Sequence, residues 1–194
     1  VVRRPDPRTS RLRQGPRDMV LTLLALLAII APLVLISRAC SFEPGGPEPA
    51  PGSAPTVDAG QALAGPARSA GFPVRLPQVP PAWRANSVST APLPPTSVVV
   101  RVGWLTPGTF IQLSQSSAAE QDVVAADTDI QRPTSTGTVD VDGRAWRTYP
   151  GRRAETLWAT ALDGATVTIT GNATAVDFTT LARAVAAARP LPAA

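Results

Sequence analysis

TLWATALDGATVTIT, residues 156–170, decides the fold. Two runs rich in β-branched and apolar residues flank Asp163-Gly164, and an Asp-Gly pair supplies the positive φ angles of a two-residue hairpin turn. That turn sets Trp158 opposite Ile169. Residues 137–149, GTVDVDGRAWRTY, repeat the device around Asp142-Gly143. There Val139 should face Trp146, a favourable aromatic and β-branched pair. Working outward, Val98, Val100, Val102 and Trp104 alternate along one face of a further strand. Thr106-Pro107-Gly108 turns that strand into residues 110–115.

Helices should follow two of these hairpins. Ser117-Ala118-Ala119-Glu120 has the pattern of a capping box and opens a helix to about Thr128. Thr174-Ala175-Val176-Asp177 has the same pattern before the last helix. There Phe178, Leu181, Ala182 and Val185 form an apolar stripe for docking on a sheet. Arg183 and Arg189 lie towards the carboxyl end, where the dipole favours cations, and Pro190 stops the helix. A third, shorter helix is expected between Val57 and Ala70, interrupted at Gly65-Pro66. The turn-strand-helix order reads either as a degenerate repeat or, preferably, as ordinary α+β grammar. The expected class is α+β: an antiparallel β-sheet with two or three packed helices, preceded by one transmembrane helix.

The transmembrane reading comes from residues 19–36, eighteen residues without a charge. At 1.5 Å per residue they span about 27 Å, close to the ~30 Å of a bilayer's hydrocarbon core. Residues 1–18 carry six arginines against Asp6 and Asp18, whereas after Arg38 no basic residue appears before Arg68. Arginine-rich flanks stay cytoplasmic, so the amino terminus is expected inside and the rest outside. The domain expectation is therefore a cytoplasmic arm at 1–18, a membrane helix at 19–37 and a Pro/Gly/Ala-rich linker at 38–56. An extracytoplasmic α+β domain at 57–189 and a tail at 190–194 complete it. Cys40 stands at the outer membrane surface as a free thiol, a thiol paired between chains, or an acylated residue.

Composition excludes much chemistry. The 194 residues contain no His and one Cys, and all 18 basic residues are arginine. An imidazole-based triad, a multi-ligand zinc site and a Schiff-base lysine are all ruled out. Residues 39–194 hold eleven arginines against twelve carboxylates. The basic character thus belongs to the short amino-terminal arm, and a nucleic-acid partner is not expected.

Several short motifs occur together in fixed order. They are Arg17-Asp18-Met19, Cys40-Ser41-Phe42, GFPVRLP at 71–77, Trp83 with Asn86-Ser87, Gln115-Ser116, GTVDVDGRAW at 137–146, and the closing ITG with Phe178 and Leu181-Ala182. In this order they resemble the actinobacterial single-pass membrane proteins of domain-of-unknown-function family 4245. The resemblance implies an envelope protein anchored by its amino-terminal helix. It supplies no catalytic residues and no cofactor.

Two candidate sites follow from the residues themselves. Arg144, Arg147, Arg152 and Arg153 crowd beside Trp146 and Tyr149 as a candidate anion-binding face, since guanidinium forks clasp phosphate well. Strand alternation opposes a single face, because Arg144 and Trp146 should point one way and Arg147 the other. Trp104, Trp158 and Phe178 are candidates for an apolar pocket between sheet and helix, against the plainer reading of core aromatics. Asp140 and Asp142 resemble fragments of a calcium loop but lack the remaining oxygens, and Asp127 and Asp129 fit a solvated helix end. Asn172-Ala173-Thr174 matches a glycosylation sequon, yet Thr174 is explained as a cap. Three functions are expected in descending order. First is a non-catalytic interaction or scaffold module of the envelope, with an envelope protein as partner. Next is a binder of a lipid or other apolar ligand, and last a carboxylate-dependent hydrolase. No cofactor or metal is called for, and any small-molecule ligand is left open.

Overall fold

The computed structural model describes residues 16–37 and 55–193. They fall into two units, Val1–Pro49 and Ala50–Ala194. The first contains α1, Pro16–Ser37, a helix of 22 residues. Its large side chains from Met19 to Ile30 are exposed, Met19 at 68% and Leu27 at 61%. Its side chains are described only at Arg17 and residues 19–30. Among the described residues no helix is long and apolar enough to cross a membrane. Cys40, most of the arginine-rich arm and most of the linker lie outside the described residues.

The second unit is built on a seven-stranded antiparallel sheet of order β1-β2-β3-β7-β6-β5-β4. Its strands are β1 Arg84–Leu93, β2 Ser97–Thr106, β3 Thr109–Ser116, β4 Gly137–Val141, β5 Arg144–Pro150, β6 Thr156–Leu162 and β7 Ala165–Gly171. Three helices accompany them: α2 Ala59–Ser69, α3 Glu120–Thr128 and α4 Ala175–Ala187. Both Asp-Gly turns have the expected left-handed pair, with φ 52° and 82° at Asp142-Gly143 and 47° and 81° at Asp163-Gly164. The registers follow: Val139 faces Trp146 and Trp158 faces Ile169.

The strand not expected from sequence is β1. Its ten residues, RANSVSTAPL, are mostly polar and only Leu93 is buried. At the edge of a sheet a strand needs no apolar alternation, because one ladder of backbone bonds to β2 holds it.

The sheet is covered on both faces. On one, Val100, Val102, Trp104, Leu113, Trp158 and Ile169 join Leu63 of α2 and Phe178, Leu181 and Val185 of α4 in the main core. Each such side chain contributes about 1.5–3 kcal/mol by leaving water. On the other face α3 sets Val123 against Leu93 and Val99, and Val124 against Tyr149, Leu157 and Ala159. The helices that follow β3 and β7 therefore pack on opposite faces. A two-fold axis between those neighbouring antiparallel strands would put both on one face, so the hairpin-helix repeat does not hold.

Three local expectations are corrected. Gly65-Pro66 does not break α2, which runs through to Ser69; Pro66 sits near its end, where one lost amide costs little tertiary contact. The capping box at α3 does not form: its N-cap is Ala119, without a side-chain bond. Ser117 Oγ instead reaches Ser97 Oγ at 3.4 Å, and Glu120 turns to β5. The box at α4 does form, with Thr174 and Asp177 bonding reciprocally. No cation lies in the last turn of α4, since Arg183 sits earlier and Arg189 follows the helix end.

GFPVRLP gains its meaning here. Gln115, fully buried, accepts the Arg75 N–H at 2.8 Å and donates to the Arg75 carbonyl at 2.9 Å. The Arg75 guanidinium binds Asp163 and the Ala188 carbonyl. Leu191 N–H donates to the Val74 carbonyl at 2.8 Å, so residues 190–191 join the same domain.

Candidate functional site

Strands β5 and β6 are paired only from Arg147↔Ala159 to Pro150↔Thr156. The next backbone rung of that ladder would join Ala145 to Ala161. Side chains take its place: Thr160 Oγ1 donates to the Ala145 carbonyl at 2.9 Å, and Arg144 Nη1 donates to the Ala161 carbonyl at 3.0 Å. A hydroxyl or guanidinium reaches further than an amide, so the strands separate while their carbonyls stay satisfied. A cleft of about 860 Å³ opens there, lined by Arg144, Trp146, Thr160, Ala182 and Arg183 among others. Its size lies within the ~300–1,000 Å³ of small-molecule clefts.

The match to a family model falls on this frame. The model of a protein of unknown function, DUF4245, covers residues 11–185, which include α1, the whole sheet and most of α4. The chain belongs to the DUF4245 family. No curated protein and no solved structure matches it.

The cleft of this DUF4245 protein pairs its charges except at Arg144, whose guanidinium binds only the Ala161 carbonyl among the described residues. Arg183 holds Asp142 in a bidentate fork at 2.9 and 3.0 Å. That hydrogen bond lowers the Asp142 carboxyl below its usual range and raises Arg183. Arg147 leaves β5 towards α3, where its Nε donates to Glu120 Oε1 at 2.6 Å and its Nη2 to Oε2. Hydrogen bonding to Glu120 raises the Arg147 guanidinium further. Tyr149 donates its hydroxyl to the same Glu120 Oε1 at 2.6 Å. Burial, then the Glu120 hydrogen bond, push this phenol up to about 12.

The four arginines singled out from sequence are thus divided. Arg144 and Arg147 both line the cleft, Arg147 forked to Glu120. Arg152 pairs with Asp129 at 2.6 Å and reaches the Ala126 carbonyl at 3.4 Å. Arg153 is exposed and makes no ion pair among the described residues; it and Ala154 hold left-handed φ of 45° and 67°. Two adjacent left-handed non-glycine residues cost about 1–3 kcal/mol each. Trp104, Trp158 and Phe178 do come together, with the Trp158 and Phe178 rings 5.1 Å apart. They do so as packed core, each 6% exposed or less, and the 860 Å³ cleft lies beside them with Trp146 in its wall.

Other sequence candidates have structural uses. Asp140 Oδ1 accepts the Gly143 N–H at 3.0 Å and closes the β4–β5 turn. Asn172 Oδ1 accepts the Phe110 N–H at 2.8 Å. Asp127 is no solvated helix end: its side chain is buried, its Oδ1 takes both Nε and Nη2 of Arg101 at 2.9 and 2.8 Å, and its Oδ2 takes the Thr168 hydroxyl at 2.6 Å. Among the described residues no group of three His, Cys, Asp or Glu is placed to hold a metal. The ion pair of Arg101 with Asp127 was missed from sequence, although an arginine amid SVVVRVGW signals a partner on the second face of β2.

Proposed function

We propose that this chain is a single-pass membrane-anchored, extracytoplasmic envelope protein that acts as a non-catalytic interaction module. Its amino terminus is cytoplasmic, and it engages an envelope protein through the cleft between β5, β6 and α4. The opened β5–β6 ladder carries this reading. A sheet that gives up a backbone rung yet keeps its carbonyls satisfied holds a recess ready for a partner. Its lining of two Arg–carboxylate pairs, the unpaired Arg144 and small alanines suits a polar protein surface better than a lipid tail. Packing of Trp104, Trp158 and Phe178 within the core favours this over an apolar-ligand pocket. A carboxylate hydrolase needs a free acid-base pair, and the engaged oxygens of Asp127 and Glu120 count against one. The anchor rests on the uncharged run 19–36, the exposed apolar side chains of α1 and the one-sided arginines before it.

The test places a photo-crosslinking residue at Ala161 in the full chain expressed in its own cells. One reproducible crosslinked envelope protein, lost when Ala186→Trp, at an exposed position of the lining, fills the cleft, is the expected result. Crosslinks that are absent, or unchanged by the filled cleft, would refute the assignment. Topology is tested separately with a reporter enzyme active only outside the cytoplasm, fused after Ala194. It should be active and resist extraction by alkaline carbonate, whereas activity from a cytoplasmic reporter would reverse the orientation.

A further inference from the structure

The lost β5–β6 rung leaves the cleft with more donors than acceptors. In an antiparallel ladder a residue turns its N–H and its C=O towards the same neighbouring strand. The Ala145 carbonyl faces β6, where it accepts Thr160 Oγ1, and the Ala161 carbonyl faces β5, where it accepts Arg144 Nη1. The amides of Ala145 and Ala161 therefore point into the same opening, beyond the last paired residues Arg147 and Ala159. Both carbonyls have gained side-chain donors, whereas both amides have lost their carbonyl acceptors with the rung. Both alanines are exposed. We propose that the cleft seats a carboxylate of its partner protein, an acidic side chain or a carboxyl terminus, on Arg144 and these two amides. This rests on the reading of the cleft as a protein-docking site and adds the chemistry that the partner must bring.

The acids of the cleft itself cannot fill that seat. Asp142 lies two residues from Arg144, but Arg183 of α4 holds both of its oxygens at 2.9 and 3.0 Å. Glu120 receives Arg147 on both oxygens and the Tyr149 hydroxyl on one of them. Each internal carboxylate is thus taken by another arginine. Arg144 is left for an acid from outside.

Charge and shape select the same ligand. Arg144, Arg147 and Arg183 line the cleft against Glu120 and Asp142, so one positive charge is left over, at Arg144. One carboxylate balances it. A phosphate dianion overshoots, and its second charge meets the neighbouring Glu120 and Asp142. A cation is repelled by the guanidinium. Arg144 is half-buried, with Nη1 tied to the Ala161 carbonyl at 3.0 Å, so its free edge is held in direction. A planar acceptor with two oxygens matches such an edge, and its remaining lone pairs can take the two amides.

NMR titration of the full chain in maltoside micelles tests this, with acetyl-Gly-Glu-Gly-amide and acetyl-Gly-Gln-Gly-amide as probes. The glutamate peptide should shift the Ala145 and Ala161 amide signals. It should bind about tenfold more tightly than the glutamine peptide or inorganic phosphate. Arg144→Gln should reduce the glutamate peptide to the affinity of the glutamine peptide. Arg144→Lys, which keeps the charge without the fork, should lose less. Equal affinity for the two peptides, tighter binding of phosphate, or unmoved Ala145 and Ala161 amides overturns the proposal. So does undiminished glutamate-peptide binding in Arg144→Gln. The crosslink at Ala161 separates this proposal from the docking assignment. A crosslink lost with Ala186→Trp but kept with Arg144→Gln overturns the carboxylate and leaves the docking module standing. Glutamate-selective shifts at both amides, with no crosslinked protein in cells, uphold the carboxylate seat and refute the docking module.

Discussion

Glu120 illustrates how a residue's role is set by what stands across from it. In sequence it closes a capping box; in the fold it gathers Arg147 and Tyr149 from β5. Tyr149 is the sole tyrosine, so tyrosinate absorbance reports it alone. The folded protein should titrate near about 12 and the unfolded chain near ~10. The unfolded state loses its proton first, so the stability from this phenol is whole below about pH 10 and is lost as pH rises towards 12. Partial solvent screening limits that contribution to about 1–2 kcal/mol. Glu120→Gln should lower the folded value only in part, because burial is the larger cause; an unchanged titration would contradict the Glu120 contact. Asp127 is the second case. Asp127→Ala leaves the Arg101 guanidinium and the Thr168 hydroxyl without their acceptor and should cost about 3 kcal/mol by denaturant unfolding. Asp127→Asn, which keeps an acceptor oxygen, should cost less.

At the scale of elements, two identical-looking helix starts have different physics. Thr174 caps α4 in fact, so Thr174→Ala should lower stability by about 1 kcal/mol. Ser117 caps nothing, and Ser117→Ala should fall within about ±0.5 kcal/mol. Equal losses in thermal unfolding would show that the α3 box forms after all. The six strands beyond β1 were legible because their alternation and Asp-Gly turns are local signals, effective before any tertiary contact. Strand β1 was not, because an edge strand owes its place to the backbone of β2 and leaves little mark on its side chains. The α2 helix outran its Gly-Pro signal for a similar reason: Leu63 and Ala67, buried in the core, outweigh local propensity.

At the scale of the whole molecule, the carboxyl terminus closes the fold. Removal of residues 189–194 takes away the Leu191–Val74 bond and the Arg75↔Pro190 bridge. A drop of about 1–2 kcal/mol is expected in denaturant unfolding of the shortened chain; no drop would mean the tail is a passive appendage. Of the candidate site, sequence named Arg144 and Arg147 but set them in one cluster with Arg152 and Arg153. Strand alternation already opposed a single face, and the fold gives each its own partner: Arg147 forks Glu120 and Arg144 binds the Ala161 carbonyl, both at the cleft, while Arg152 pairs with Asp129. By itself the sequence determined the α+β class, the hairpins with their registers, the apolar stripe of α4 and the absence of imidazole and lysine chemistry. Each of those is written in residue type or in spacing within one element. The separation of β5 from β6 and the Arg101–Asp127–Thr168 cluster were decided by tertiary structure alone. Each joins side chains from elements distant in sequence, and only packing brings such groups within hydrogen-bond reach.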